Sequence, residues 1–274
     1  MANLLPKISI VTPSFNQGQY LERTILSVIQ QKYPNLEFIL IDGKSNDNSP
    51  KIINKYKKYF TYWQIKKDHG QFDAINIGFK HATGDILCWL NSDDILLPHS
   101  LELVAKLFTK YPHLNWLTSQ STIINQNDEI IQCGLHTGKI NLFLRLGLYH
   151  GKCLGFIPQE GTFWRRSLWE KAGASLSKLN YCLDFDLWRR FAKFSPLVTL
   201  NAPLAAFRHQ PLQKTNAINK YYQEINPILP YIPKYTGIIG RILSPFLYRL
   251  SPRIIFNKNN HQWEYHSGFF FTSN

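Results

Sequence analysis

The chain has 274 residues, 44% hydrophobic and 14% aromatic, with a formal charge of +13. This fits a globular protein with room for one sizeable α/β domain plus an appendage; no apolar run reaches the roughly 18–20 residues of a membrane span, and the N-terminus lacks the apolar core of a signal peptide. Such a charge favours nucleotides, nucleic acid or acidic membrane as partners, yet no RNA- or DNA-binding motif is visible.

Ile8 to Thr12 is a short β-run ended by Pro13, and Ser14 to Gly18 is a loop. From Tyr20 the pattern turns helical, with Leu21, Ile25, Val28 and Ile29 on one face, until Pro34-Asn35 breaks it. Leu36 to Ile41 is a second strand ending at Asp42-Gly43; Pro50 then opens a helix at its first turn. Alternating strand and helix imply a parallel sheet with crossover helices. Tyr62 to Ile65 is a third strand, Asp68 to Gln71 a turn, and Phe72 to His81 a helix. Gly84-Asp85 leads into Ile86 to Leu90, a buried central strand that stops at Asn91-Ser92-Asp93-Asp94.

A helix over 98–111 follows, then short strands at 114–118, 121–125 and 129–132. Residues 135–157 form a loop-rich connection without assigned structure. Pro158-Gln159-Glu160-Gly161 precedes a β-run over 162–165 and a helix over 167–171. The stretch 181–191 becomes helical in its second half, with Asp184 near the start, where the helix dipole favours an anion. Two short strands end the domain, the second closing in Arg208-His209. Past residue 216 the character changes: Tyr235, Ile238, Ile239, Ile242, Leu243, Phe246, Leu247 and Leu250 keep helical spacing, with a split or kink at Pro245. This basic, aromatic segment either lies in a membrane interface or packs on the domain as a helical pair. The expected organisation is a domain over 1–215, with a first part over about 1–125 and a second over about 126–215, and a helical extension over 216–274.

Three of these strands end in an acid: Asp42, Asp68 and the pair Asp93-Asp94. In an open parallel sheet those ends share the edge where ligands bind. Adjacent carboxylates repel unless a cation, a sugar hydroxyl or solvent takes up their charge.

In order and spacing, I-S-I-V-T-P-S-F-N-Q-G-Q-Y-L, I-L-I-D-G-K-S-N-D, D-H-G-Q-F-D-A-I-N-I-G-F, G-D-I-L-C-W-L-N-S-D-D and L-D-F-D-L-W-R-R resemble the family 2 glycosyltransferases over roughly residues 7–210. The resemblance implies the GT-A fold, a mostly parallel, Rossmann-like α/β sheet flanked by helices. It implies that Thr12, Pro13 and Asn16 hold the nucleotide and that Asp42 binds base or ribose. Asp68, Gln71 and Asp73 match a D-x-G-Q-x-D pattern beside the nucleotide. Asp93 and Asp94 match the D-x-D element, Asp93 towards ribose or a metal-bound water and Asp94 on the metal, with His209 completing the metal site. Asp184 matches the general base; the acid that usually precedes it is here Leu183, which keeps Asp186 as the alternative base.

The implied reaction is an inverting transfer of a sugar from a nucleotide sugar, UDP-linked by preference, to a glycan, polysaccharide or lipid-linked acceptor. Mn²⁺ or Mg²⁺ would neutralise the leaving diphosphate. Arg165, Arg166 and Lys214 are candidates for holding that diphosphate, and Gln159, Glu160 and Trp188 border the acceptor side, with core packing the competing role for Trp188. Competing readings are a catalytically silent nucleotide-sugar-binding protein and, ranked lower, a nucleotidyltransferase, since the loop after the first strand lacks the basic residue that class uses. The four cysteines form no C-x-x-C pair and are read as reduced, which points to the cytoplasm, with peripheral contact to anionic membrane through residues 231–256.

Overall fold

Strands buried on both faces read as largely apolar runs, and the first, second and central β-runs do so, with Ser9, Thr12 and Glu37 as buried polar interruptions. The computed structural model describes residues 5–134, 137–211, 213–229, 238, 242 and 246–268. Its first half alternates β1 (Ile8–Ser14), α1 (Leu21–Ile29), β2 (Leu36–Asp42), α2 (Ser49–Tyr56), β3 (Tyr62–Ile65), α3 (Gln71–His81) and β4 (Ile86–Trp89). Then come β5 (Ile95–Leu96), α4 (Ser100–Lys110), β6 (Trp116–Thr118), β7 (Thr122–Ile124), β8 (Ile130–Cys133) and α5 (Asn141–Arg145). The chain continues through β9 (Thr162–Arg165), α6 (Arg166–Lys171), α7 (Leu183–Phe191), β10 (Val198–Leu200) and β11 (Ala205–Arg208). It closes with α8 (Ile218–Ile225), β12 (Arg253–Asn257) and β13 (Gln262–His266).

Among the described residues the main sheet has nine strands in the order β13-β12-β10-β6-β9-β4-β1-β2-β3. β1 runs parallel to β2 and β4, and β2 parallel to β3. β9 is antiparallel to both of its neighbours, β4 and β6. Alternation along each strand splits the core into two layers. Ile10, Phe38, Leu40, Ile86 and Cys88 pack with α1 and α4 on one face. Val11, Ile39, Ile41, Leu87 and Trp89 pack with α3, α6 and α7 on the other. A second sheet, β5-β11-β7-β8, lies past the end of β4. Its β11 runs antiparallel to β5, with Ala206 opposite Ile95, so the chain two residues on reaches back to Asp93-Asp94.

Two expectations change. The connection over 135–157 carries α5 and buries Leu144, Tyr149 and Ile157. The extension is not wholly helical: α8 and residues 246–250 are helical, but β12 and β13 form a hairpin whose β12 runs parallel to β10 in the main sheet. Tyr235, Ile239, Leu243 and the kink expected at Pro245 lie outside the described residues. None of the four cysteines is in a disulfide.

Candidate active site

The strand ends meet where β1, β2, β3 and β4 stop together. Asp42, the last residue of β2, is fully buried and accepts from the Ser45 N–H and the Ser45 hydroxyl, both at 2.7 Å. Ser45 Oγ in turn accepts the Asn16 N–H at 2.8 Å, and Asn16 Oδ1 accepts the Asn46 N–H at 3.0 Å. Asn16 holds the left-handed region at φ 52°, which asparagine tolerates. Thr12 and Pro13 are buried inside β1, so the outward part of this loop is Phe15 and Asn16. Phe15 is 62% exposed, an aromatic face offered at the edge where Asp42 ends its strand. A Cβ at Gly43 would come within 2.9 Å of Asp68 Oδ2 and 3.2 Å of the Phe15 ring, so a side chain there would push both of these groups aside.

Asp68 follows β3, and burial, then the charges of Asp73 and Asp42, push its carboxyl up. Asp73, one turn into α3, faces another way: it accepts from the N–H and the ring of His69, which outweigh its partial burial and hold it below the usual range. Gln71 points inward, donating to Asn91 Oδ1 at 2.8 Å and accepting from Lys214 Nζ at 2.8 Å.

Asn91 is the hub. Its Nδ2 donates to Gln159 Oε1 at 3.0 Å and to Asp94 Oδ2 at 3.3 Å, while Gln159 Nε2 donates to Trp89 O at 2.7 Å. The antiparallel run of β9 brings this about, because it places the preceding loop, Pro158 to Gly161, at the end of β4. Asp94 is buried; its Oδ1 accepts the Arg208 N–H at 2.9 Å. Asp93 Oδ2 accepts from Gln210 Nε2 at 3.1 Å, and Asp93 O accepts from Arg208 Nε at 2.7 Å. Burial raises Asp93. Burial, then Asp93 and Glu160, raises Asp94 well above the usual carboxylate range. Glu160 is lifted to about 7 by burial and by the charge of Asp184, and Asp184 to about 6 by burial. Asp94, Glu160 and Asp184 thus share a site, and among the described residues none of the three forms an ion pair with a side-chain cation.

Asp184 sits in the first turn of α7. Glu224 of α8 fixes the approach to that turn, accepting the N–H groups of Asn180 at 2.8 Å, Tyr181 at 2.7 Å and Cys182 at 3.2 Å. Asp186 is engaged elsewhere, with Arg190 Nε at 3.0 Å and Ser177 Oγ at 2.7 Å.

Several expected roles are corrected. Trp188 is 2% exposed and stacks on Trp89 with centroids 5.7 Å apart; it is core and offers no face to a sugar. Arg165 donates to Leu114 O and Phe108 O and covers the end of α4, and Arg166 donates to Gly84 O; both therefore serve the opposite edge from the acids. Lys214 alone of the three cations lies at the acid edge. His209 is exposed and its N–H joins Ile124 O, while the neighbour Arg208 occupies the place beside Asp94. Among the described residues no three His, Cys, Asp or Glu side chains form a ready-made metal set. The donor chemistry would fit a hard cation held through one carboxylate, that of Asp94, whose Oδ2 is met only by a long 3.3 Å bond from Asn91.

Sequence reasoning missed Phe15, Asn91, Arg208 and Glu224. The first three had signals: an aromatic in a polar loop, an amide at a strand end, and a charge closing an apolar strand. Glu224 had none.

The family model described as Glycosyl transferase family 2 matches residues 9–170. An uncharacterized glycosyltransferase of Rickettsia typhi is 27% identical over 252 residues, covering 86% of this chain and 73% of that protein. The fold matches Staphylococcus aureus TarS 1–349 in complex with UDP-GlcNAc, with TM-score 0.62, 14% identity, and 88% and 71% of the two chains covered. It also matches a mannosyltransferase of Pyrobaculum calidifontis in complex with GDP-Man and Mn²⁺, with TM-score 0.59, 15% identity, and coverage of 88% and 70%. At these identities the structural likeness is one of fold.

Proposed function

The chain belongs to glycosyl transferase family 2, and on that premise we propose that it transfers a sugar, with inversion, from a nucleoside-diphosphate sugar to a hydroxyl of a glycan, polysaccharide or lipid-linked acceptor. The observation that carries the reading is the buried trio Asp94, Glu160 and Asp184 at the sheet edge, whose raised carboxyls call for a cation and a polar substrate.

On this reading the base stacks on Phe15 beside the loop braced by Asn16 and Asp42, and Asp68 and Asp93 lie near the ribose. Asp94 would hold Mn²⁺ or Mg²⁺, which would neutralise charge on the leaving diphosphate. Lys214, held by Gln71, reaches the same diphosphate. Gln159 and Glu160 border the acceptor. Asp184 takes the acceptor hydroxyl proton; a carboxylate titrating near 6 is ionised at neutral pH yet more basic than a free one. The pairing of Asp186 with Arg190 and Ser177 supports Asp184 rather than Asp186 as the base. Fold neighbours in complex with UDP-GlcNAc and with GDP-Man support a nucleoside-diphosphate sugar, and UDP is the carrier proposed here.

The test is thermal shift against UDP, GDP, CDP and dTDP, with and without Mn²⁺, followed by turnover of Asp184→Asn and Asp186→Asn. UDP with Mn²⁺ should raise the melting temperature of both variants, and only Asp184→Asn should lose transfer. No shift with any nucleotide would remove the donor site. Binding without turnover in the wild type would favour a silent sugar-nucleotide-binding protein.

A cytoplasmic, peripheral location belongs to the same proposal. Ile238, Ile242 and Phe246 are 65%, 65% and 68% exposed, three large apolar side chains open to solvent. No described helix is long and apolar enough to cross a membrane. Flotation with phosphatidylglycerol vesicles at low salt tests it; a protein left at the bottom of the gradient refutes it.

A further inference from the structure

Across the Pro158 to Gly161 loop from the acid site lies a second, oppositely charged feature. Thr118 ends β6 and pairs with Thr199 of β10 on one side and Thr162 of β9 on the other. A partly open cavity of about 50 Å³ sits at this point, beside Pro158. In the same measure one water needs roughly 10–15 Å³, so the space fits a few waters or one small oxyanion. Five residues bearing hydroxyls line it: Thr118, Ser119, Ser121, Thr137 and Thr199.

The one cation among its described lining residues is Lys139, only 4% exposed. The ammonium donates to Thr137 Oγ1 at 3.0 Å and Phe156 O at 3.3 Å and lies 4.8 Å from the centre of the Tyr149 ring. Those two acceptors leave its third N–H over. No carboxylate among the described residues pairs with it, and burial alone pulls its titration down to about 8. A buried lysine without an anion is costly unless a partner arrives. The hydroxyl of Thr199 is also buried without a hydrogen-bond partner. A cation with a spare donor, an unspent hydroxyl and hydroxyls on several walls together match a tetrahedral oxyanion.

We propose that the cavity of Lys139 and Thr199 binds a phosphate group carried by the acceptor, so that the enzyme glycosylates a phosphate-bearing acceptor. The acceptor part rests on the transferase reading above; the anion site does not. The ridge Pro158-Gln159-Glu160 has the cavity on one side and the Asn91–Asp94 network on the other. An acceptor phosphate held there leaves a hydroxyl a few bonds away to face Glu160 and Asp184.

The experiment is calorimetric titration of the full chain at constant ionic strength with inorganic phosphate, glycerol 3-phosphate and dimethyl phosphate. Lys139→Gln, Thr199→Val and Asp94→Asn are titrated alongside the wild type, and UDP and GDP binding is measured on each. Inorganic phosphate and at least one ester should bind the wild type, at least tenfold more weakly in Lys139→Gln, measurably more weakly in Thr199→Val, and unchanged in Asp94→Asn. Thr199→Val keeps the side-chain shape and removes only an unpaired hydroxyl, so it tests the site even where Lys139→Gln fails to fold. Equal binding in the wild type and both cavity variants, or loss in Asp94→Asn alone, overturns the site. Binding of inorganic phosphate with exclusion of both esters overturns the acceptor role and assigns the cavity to free phosphate. Nucleotide binding without phosphate binding sinks this inference and leaves the transferase reading standing. Phosphate bound through Lys139 with no nucleotide bound sinks that reading and the acceptor role with it.

Discussion

Replacing Asp184 by Asn should remove activity and stabilise the fold. The carboxyl is raised from 3.8 to about 6 by burial. Between those values the unfolded chain has released its proton and the folded chain still holds one, so stability falls as pH rises through the window. Above about pH 6 the penalty is complete, and at about 1.4 kcal/mol per pH unit it amounts to no more than about 3 kcal/mol. Asn stays neutral and keeps an oxygen for the Phe185 N–H. Urea denaturation in EDTA, at pH 7.5 and at pH 4, reads the difference directly. The variant should exceed the wild type by about 1–3 kcal/mol at pH 7.5 and match it near pH 4. Equal or lower stability at pH 7.5, or a gain that persists at pH 4, would refute the placement of Asp184 as a buried acid held ionised for chemistry.

Glu37 should behave with the opposite sign. Although burial opposes it, hydrogen bonds from Ser9, Lys7 and Thr83 pull its carboxyl from 4.5 down to about 2. Glu37→Gln should therefore cost about 3 kcal/mol at pH 7, a gap that closes as pH falls from 4.5 towards 2, read by denaturation at each pH. Glu224→Gln should lower kcat about tenfold with nucleotide binding unchanged, because it loosens the approach to α7; the loss of charge-assisted bonds is worth about 1–3 kcal/mol. Steady-state kinetics beside thermal shift separates the two effects. Trp188→Ala should destabilise by about 3–5 kcal/mol, while Trp188→Phe keeps the acceptor KM; a selective rise in that KM with intact stability would return Trp188 to the acceptor surface.

The sheet and its acid edge were legible because β1, β2 and β4 are buried on both faces and leave largely apolar runs, broken in β1 and β2 only by Ser9, Thr12 and Glu37 before the strand ends. Asp42, Asp68 and Asp93-Asp94 then follow from where those runs stop. Helical spacing over 183–191 located α7, but spacing does not say which face meets the substrate, and Trp188 faces the tryptophan core instead. Arg165 and Arg166 were misjudged because β9 is antiparallel: its end, not its start, lies at the far edge. The β12–β13 hairpin was hidden behind an apolar stripe extended too far, although Asn259-Asn260 marks its turn. Glu224 acts on residues 42 to 44 positions away, a contact that no local pattern encodes.

The pairing of β12 with β10 also bears on solubility. β10 reads Val198-Thr199-Leu200, is buried along its whole length and takes β12 as a parallel neighbour. Its outer hydrogen-bonding groups are met by the hairpin, through Thr199 N–H to Pro252 O and Asn201 N–H to Ile254 O. A chain cut before residue 252 would bare an apolar strand with open donors and acceptors, the template on which sheets from different molecules join. The hairpin thus acts as a guard against polymerisation, and shortened forms should be lost to aggregates before their chemistry is ever assayed.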